Sequence, residues 1–176
     1  MDEVEISFRK LAVKDLHTLH LWLNRDFIVG TYSESRVSLK RVREEYMPYI
    51  AGQEPTRSYI FQLNGADAGY IQTYMIRDYP DYATQVQVDP DTAGVDLFIG
   101  EERFLHCGYG PRALRRFLET VVFAELPATS CCVGPAVTNK IAIRAYEKAG
   151  FRYLKTISVR GEPSPEYLMT LSKSEL

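Results

Sequence analysis

The stretch His106-Cys107-Gly108-Tyr109-Gly110-Pro111 sets two glycines one residue apart directly before a helical repeat of Leu114, Phe117, Leu118, Val121 and Val122. The first N–H groups of a helix lack intrahelical acceptors and sit at the positive end of its dipole, so anions settle there. Glycines just ahead of them let the backbone approach a phosphate with no Cβ in the way. The spacing therefore serves either a pyrophosphate or a tight turn into the helix. A Rossmann dinucleotide site lacks its third glycine and its acidic ribose ligand here, and the absence of Gly-Lys-Ser/Thr excludes a P-loop. A second constellation follows: Asn139, Ala142, Tyr146 and Gly150 recur at intervals of three, four and four, which lines up the first three on one helical stripe. A third is electrostatic. From Asp78 to Glu102 there are seven acidic residues (Asp78, Asp81, Asp89, Asp91, Asp96, Glu101, Glu102) and no Lys or Arg. Gathered around a cleft, part of that segment attracts cations; otherwise it is a solvated acidic loop beside a strand.

The elements that must position these groups follow from periodicity. Ile6–Leu11 alternates apolar and polar residues as an opening strand, while Leu16, Leu19 and Leu23, then Leu39, Val42, Tyr46 and Tyr49, mark two helices. Two strand-like runs flank Asn64-Gly65, whose positive φ preference makes a tight hairpin turn, and Gly94–Gly100 is the third strand of that meander. The helix after the glycines buries its repeat and exposes Arg112, Arg115, Arg116 and Glu119. A short strand at Cys131–Val133, a helix from Asn139 stopped by Gly150 and two closing strands complete an α/β order around one mixed central sheet.

The bulk properties agree with a single domain over residues 1–176. Apolar residues make up 45% and charged residues 25%, proportions of a globular chain with a core of its own. The net charge of −2 argues against a nucleic-acid binder, which shows a basic face. No run reaches the ~20 apolar residues of a membrane span, and the acidic start Met1-Asp2-Glu3 is unlike a secretory signal, so the expected location is the cytoplasm. Three cysteines, Cys107 and the adjacent Cys131 and Cys132, form no disulfide or metal pattern and read as reduced core or near-core thiols. His17 and His20 have no further ligand at suitable spacing, and no metal is expected.

Taken together, Leu105-x-x-Gly108-x-Gly110 and Asn139-x-x-Ala142-x-x-x-Tyr146-x-x-x-Gly150-Phe151 resemble the two motifs of the GCN5-related N-acetyltransferase (GNAT) superfamily. Within it, the stretches at 22–32, 63–74, 94–104 and 142–151 look like the aminoglycoside 6'-N-acetyltransferases, in register over almost the whole chain. The resemblance implies a mostly antiparallel mixed sheet splayed between its fourth and fifth strands. It implies acetyl-coenzyme A as co-substrate, with backbone of Leu97, Phe98 and Ile99 toward the pantetheine arm. Cys107, Gly108, Tyr109 and Gly110, with Pro111 after them, would meet the pyrophosphate, and Asn139 joins the cofactor-binding set. Two positions depart from the pattern: Leu105 stands where Gln or Arg is usual, and Gly134-Pro135 where many of these enzymes have Asp-Pro. The second change touches substrate identity, because that Asp helps hold an amino group.

Acetyl transfer to an amine needs a neutral amine, a donor for the developing oxyanion and an acid for the departing thiolate. The resemblance makes Asp96 the base and an anchor for the ammonium, Tyr146 the group at the sulfur and Leu97 N–H the oxyanion donor. Tyr32 and Asp81 join Asp96 on the acceptor side, which suits a cationic amino sugar bound by a monomer or homodimer. Two other readings use the same fold: an amine or hydroxylamine acyltransferase of siderophore synthesis, and a silent acyl-coenzyme A sensor.

Overall fold

A computed structural model describes residues 4–176; the first three residues of the acidic start lie outside the described residues. The chain forms β1 (Ile6–Lys10), α1 (Leu16–Leu23), α2 (Leu39–Ile50), β2 (Arg57–Leu63), β3 (Ala66–Met75), α3 (Pro80–Val86), β4 (Thr92–Ile99), α4 (Tyr109–Phe117), α5 (Phe123–Glu125), β5 (Ser130–Val133), α6 (Lys140–Ala149), β6 (Arg152–Ile157) and β7 (Glu166–Ser172). A π-helical stretch, Leu118–Val122, joins α4 to α5. The strands make one mixed seven-stranded sheet in the order β1-β2-β3-β4-β5-β7-β6. The parallel β4–β5 register pairs Thr92 with Ser130, Ala93 with Cys131 and Gly94 with Cys132, and β4 runs on to Ile99. The chain divides into two compact units, one made of the residues up to Gln72 with Leu97–Tyr109, the other of Thr73–Asp96 with Gly110–Leu176.

In the first unit, β1 pairs antiparallel with β2, from Ile6 opposite Leu63 to Lys10 opposite Tyr59. Asn64 (φ 49°) and Gly65 (φ 77°) make the expected left-handed hairpin turn. Leu16, Leu19, Trp22 and Leu23 of α1 and Val42 and Tyr46 of α2 bury their stripe with Ile28, Ile60, Tyr70 and Phe98. Each large apolar side chain buried this way contributes about 1.5–3 kcal/mol relative to exposure. Trp22 keeps its polar end satisfied by donating Nε1–H to Glu101 Oε1 at 2.8 Å. Arg9 forks between Asp15 (2.7 and 3.0 Å) and Asp67 (2.6 Å), tying β1 to the start of α1 and to β3.

In the second unit, β5 and β6 flank β7, both antiparallel to it. Leu114, Phe117, Leu118, Val121 and Val122 are buried as the repeat requires. Arg115 is not on the exposed side. Half-buried, it donates to Ala149 O at 3.0 Å and Leu176 O at 2.7 Å, fastening α4 to the end of α6 and to the last residue. Asn139 caps α6 by accepting from Ala142 N–H at 3.0 Å, and Gly150 ends it in the left-handed region at φ 103°. The acidic segment is not all loop. Pro80 opens α3, with Asp81 in its first turn, where a carboxylate suits the helix dipole.

Candidate active site

Asp96 is the common electrostatic neighbour of a group of side chains in the second unit. It sits half-buried in β4, and its negative charge adds to the upward shift of Tyr74, Tyr82, Cys131, Cys132, Tyr146 and Glu166. Burial is the largest cause for each of them. It drives Tyr74, Tyr82, Cys131 and Tyr146 far above their usual values, Cys132 up to about 12 and Glu166 up to about 7. The phenols and thiols of this group stay protonated at neutral pH, so Glu166 is the other carboxylate among them.

The backbone explains how these groups meet. Gly94, two residues before Asp96, has no side chain, and the Tyr74 ring lies in its place: a Cβ there would stand 2.5 Å from Tyr74 Cζ. Tyr74 and Tyr82 pack against the buried cluster of Ile76, Val86, Cys132 and Leu168. Tyr82, on α3, donates its hydroxyl to Glu166 Oε2 at 2.9 Å. Tyr146, on α6, packs on Phe151 with ring centroids 6.0 Å apart and lies half-buried. Its shift keeps the phenol protonated at neutral pH, able to donate a hydrogen bond.

Other sequence-derived positions fall elsewhere. Asp81 is exposed on α3. In the first unit, Tyr32 stacks edge-on against Phe98 at 4.6 Å, so the Phe98 ring is core and only its backbone remains for a ligand. Leu97 and Ile99 flank it, half-buried, in β4. At the entrance of α4, His106 (φ 59°) and Gly108 (φ 78°) turn the chain through the left-handed region, and nothing lies within 4 Å of a Cβ built on Gly108. An exposed, open glycine ahead of a helix N-terminus fits a diphosphate cradle. Gly110 and Pro111 are half-buried in the first turn, and Pro111 has no N–H to give. Cys107 is exposed, not a core thiol, and its Sγ–H points at Leu105 O, 3.3 Å away. Asn139 spends its carbonyl on the α6 cap.

The acidic segment contributes less than its charge count suggests. Asp91 pairs with Arg77, just outside the segment, and Glu101 holds Trp22, leaving Asp96 as its member within the cluster. Sequence reasoning missed Glu166, Tyr82 and Tyr74. The Gly94 and Gly134 positions, each covered by another side chain, were the available signal.

Residues 12–159 match the acetyltransferase (GNAT) domain family. The chain is 32% identical over 167 residues to the aminoglycoside N(6')-acetyltransferase type 1 of Klebsiella pneumoniae, covering 94% of this chain and 83% of that one. The crystal structure of aminoglycoside acetyltransferase AAC(6')-Ib with coenzyme A superimposes with a TM-score of 0.87 at 31% identity, covering 97% of this chain and 96% of the other. The complex of the same enzyme with coenzyme A and kanamycin gives a TM-score of 0.86 at the same identity and coverage. The chain belongs to the GNAT acetyltransferase family, and it is similar along nearly its entire length to that family's aminoglycoside 6'-N-acetyltransferases.

Proposed function

We propose that the protein, acting as one catalytic domain in the cytoplasm, transfers an acetyl group to a primary amine of a cationic amino sugar, the 6'-amine of an aminoglycoside above all. The observation that carries this reading is Asp96, whose charge reaches six titratable side chains in a chain built like an enzyme that holds coenzyme A and kanamycin.

Acetyl-coenzyme A supplies the acetyl group as a thioester. Gly108, Tyr109 and Gly110 offer backbone N–H groups to its diphosphate, with Cys107 beside them, while Leu97–Ile99 offer strand backbone to the pantetheine arm. Asp96 first attracts the ammonium, then takes its proton directly or through a water, so that the neutral amine attacks the acetyl carbon. Leu97 N–H stabilises negative charge on the acetyl oxygen. Tyr146, held protonated, donates a hydrogen bond to the sulfur as the carbon–sulfur bond breaks. A phenol raised above its usual ~10 is a weaker acid than a thiol near ~8.5, so its part is donation rather than complete proton transfer. Tyr32 and Asp81 belong to the acceptor side.

The test is turnover: coenzyme A thiol release with acetyl-coenzyme A and either kanamycin or ribostamycin. Aminoglycoside-dependent release is expected. Thiol release with simple hydroxylamines or amines but with no amino sugar would favour the siderophore-type acyltransferase, and coenzyme A binding without any transfer would favour the sensor.

A further inference from the structure

Glu166 stands at the first residue of β7, and two backbone hydrogen bonds, which together make its antiparallel bridge to Ala136, fix it against the segment after β5. Tyr167 N–H donates to Pro135 O at 2.8 Å, and Val137 N–H donates to Pro165 O at 3.0 Å. Its side chain turns back over Gly134. A Cβ on Gly134 would lie 2.4 Å from Glu166 Oε2 and 3.2 Å from Leu168 Cδ2, so the carboxylate takes the space that a side chain at residue 134 would need.

The parallel register relates that carboxylate to Asp96. Gly94 is opposite Cys132. Asp96 lies two residues beyond Gly94 and Gly134 two residues beyond Cys132, both past the last paired position, and the period of two points each to the face of its paired neighbour. Glu166 lies over Gly134, and the Asp96 charge is among the influences on its carboxyl. Burial, Asp96 and Glu162 push the Glu166 carboxyl up, and the Tyr82 hydrogen bond pulls it down.

We propose that Glu166 is a specificity residue for the acceptor, holding a second ammonium group of a polyamino sugar while Asp96 receives the amine that reacts. The assignment rests on the amine-acetylating function proposed above. Gly134 is what allows it: by lacking a side chain, it leaves room for a carboxylate supplied from β7. Tyr82 orients that carboxylate by its hydrogen bond to Oε2. An acceptor with a single amino group would gain nothing from Glu166, whereas one with several gains a charge-assisted hydrogen bond.

The experiment compares the parent enzyme with Glu166→Gln on kanamycin and on a sugar bearing one amino group. Gln keeps an oxygen for the Tyr82 hydroxyl and removes the charge, which separates charge from packing. KM for kanamycin should rise at least about tenfold, as expected for loss of one charged hydrogen bond. KM for acetyl-coenzyme A and kcat/KM for the monoamine should stay at parent values. Gly134→Asp combined with Glu166→Ala, which returns a carboxylate to the same space from the neighbouring strand, should recover most of the kanamycin loss. A parent-like kanamycin KM in Glu166→Gln overturns the assignment, and so does an equal loss with both acceptors, which marks a packing role. Failure of the parent itself to acetylate either sugar overturns the proposed function and this inference with it.

Discussion

The Tyr74 ring lies directly on Gly94, where a Cβ would stand 2.5 Å from Cζ and 2.6 Å from Cε2. The consequence is sharp because Asp96 is two residues along the same strand and the Tyr74 phenol is among the groups that feel its charge. Gly94→Ala must push the ring aside. The expected cost is about 1–3 kcal/mol, typical of overpacking, visible as a lower denaturant midpoint with an unchanged slope. Unaltered stability would mean that the ring yields freely.

Asp96→Ala should lower kcat more than tenfold while acetyl-coenzyme A binding by calorimetry stays near the parent value. The same substitution removes one cause of the Glu166 shift, so the Glu166 carboxyl should titrate below its parent value of about 7. Carbon-detected NMR of the glutamate carboxyl reads this directly. Parent-rate turnover would remove Asp96 from the chemistry.

Tyr146→Phe deletes only a hydroxyl and keeps the contact with Phe151. A kcat loss with unchanged melting temperature supports hydrogen-bond donation to the sulfur. An unchanged kcat and pH–rate profile reduce Tyr146 to packing.

Glu166 also sets a pH dependence of stability. Burial, with Asp96 and Glu162, raises its carboxyl from 4.5 to about 7 in the folded protein. The folded state therefore binds the proton more tightly than the unfolded chain between those values, and the group's contribution to stability falls as pH rises through that window. Glu166→Gln lacks this loss. Its melting temperature relative to the parent should climb from pH 5 to pH 8, and a constant difference would contradict the shift. Acceptor binding runs the other way. The charged carboxylate prevails above about pH 7, so the Glu166-dependent part of kanamycin affinity should strengthen as pH rises toward 8.

Local signals made most of the fold legible. The Asn64-Gly65 turn, the Leu16/Leu19/Leu23 stripe, the Leu114–Val122 repeat and the Gly150 stop each depend on neighbours within a few residues, and each appears where the sequence places it. Helix α3 carried a start signal in Pro80 and Asp81, but it is a short element set among acidic residues that look solvated. Arg115 reads as an exposed position by helical phase, yet carbonyls of Ala149 and Leu176 draw it inward, and partners so distant in sequence leave no periodic trace. The site divides in the same way. Asp96 and Tyr146 belong to local motifs. Glu166 does not, since its relation to Gly134 arises from how β7 is pinned beside the segment after β5. Gly134, read alone, looks like a missing carboxylate, and the carboxylate that fills its space comes from another strand.

The most direct measurement of the central claim is the product formed from kanamycin and acetyl-coenzyme A by the parent enzyme and by Asp96→Ala, analysed by mass spectrometry and NMR. A single acetyl group on the 6'-amine, formed rapidly by the parent and more than tenfold slower by the variant, is the predicted result. Unmodified kanamycin with the parent, or equal rates with both proteins, would contradict an Asp96-centred transfer to an amino sugar.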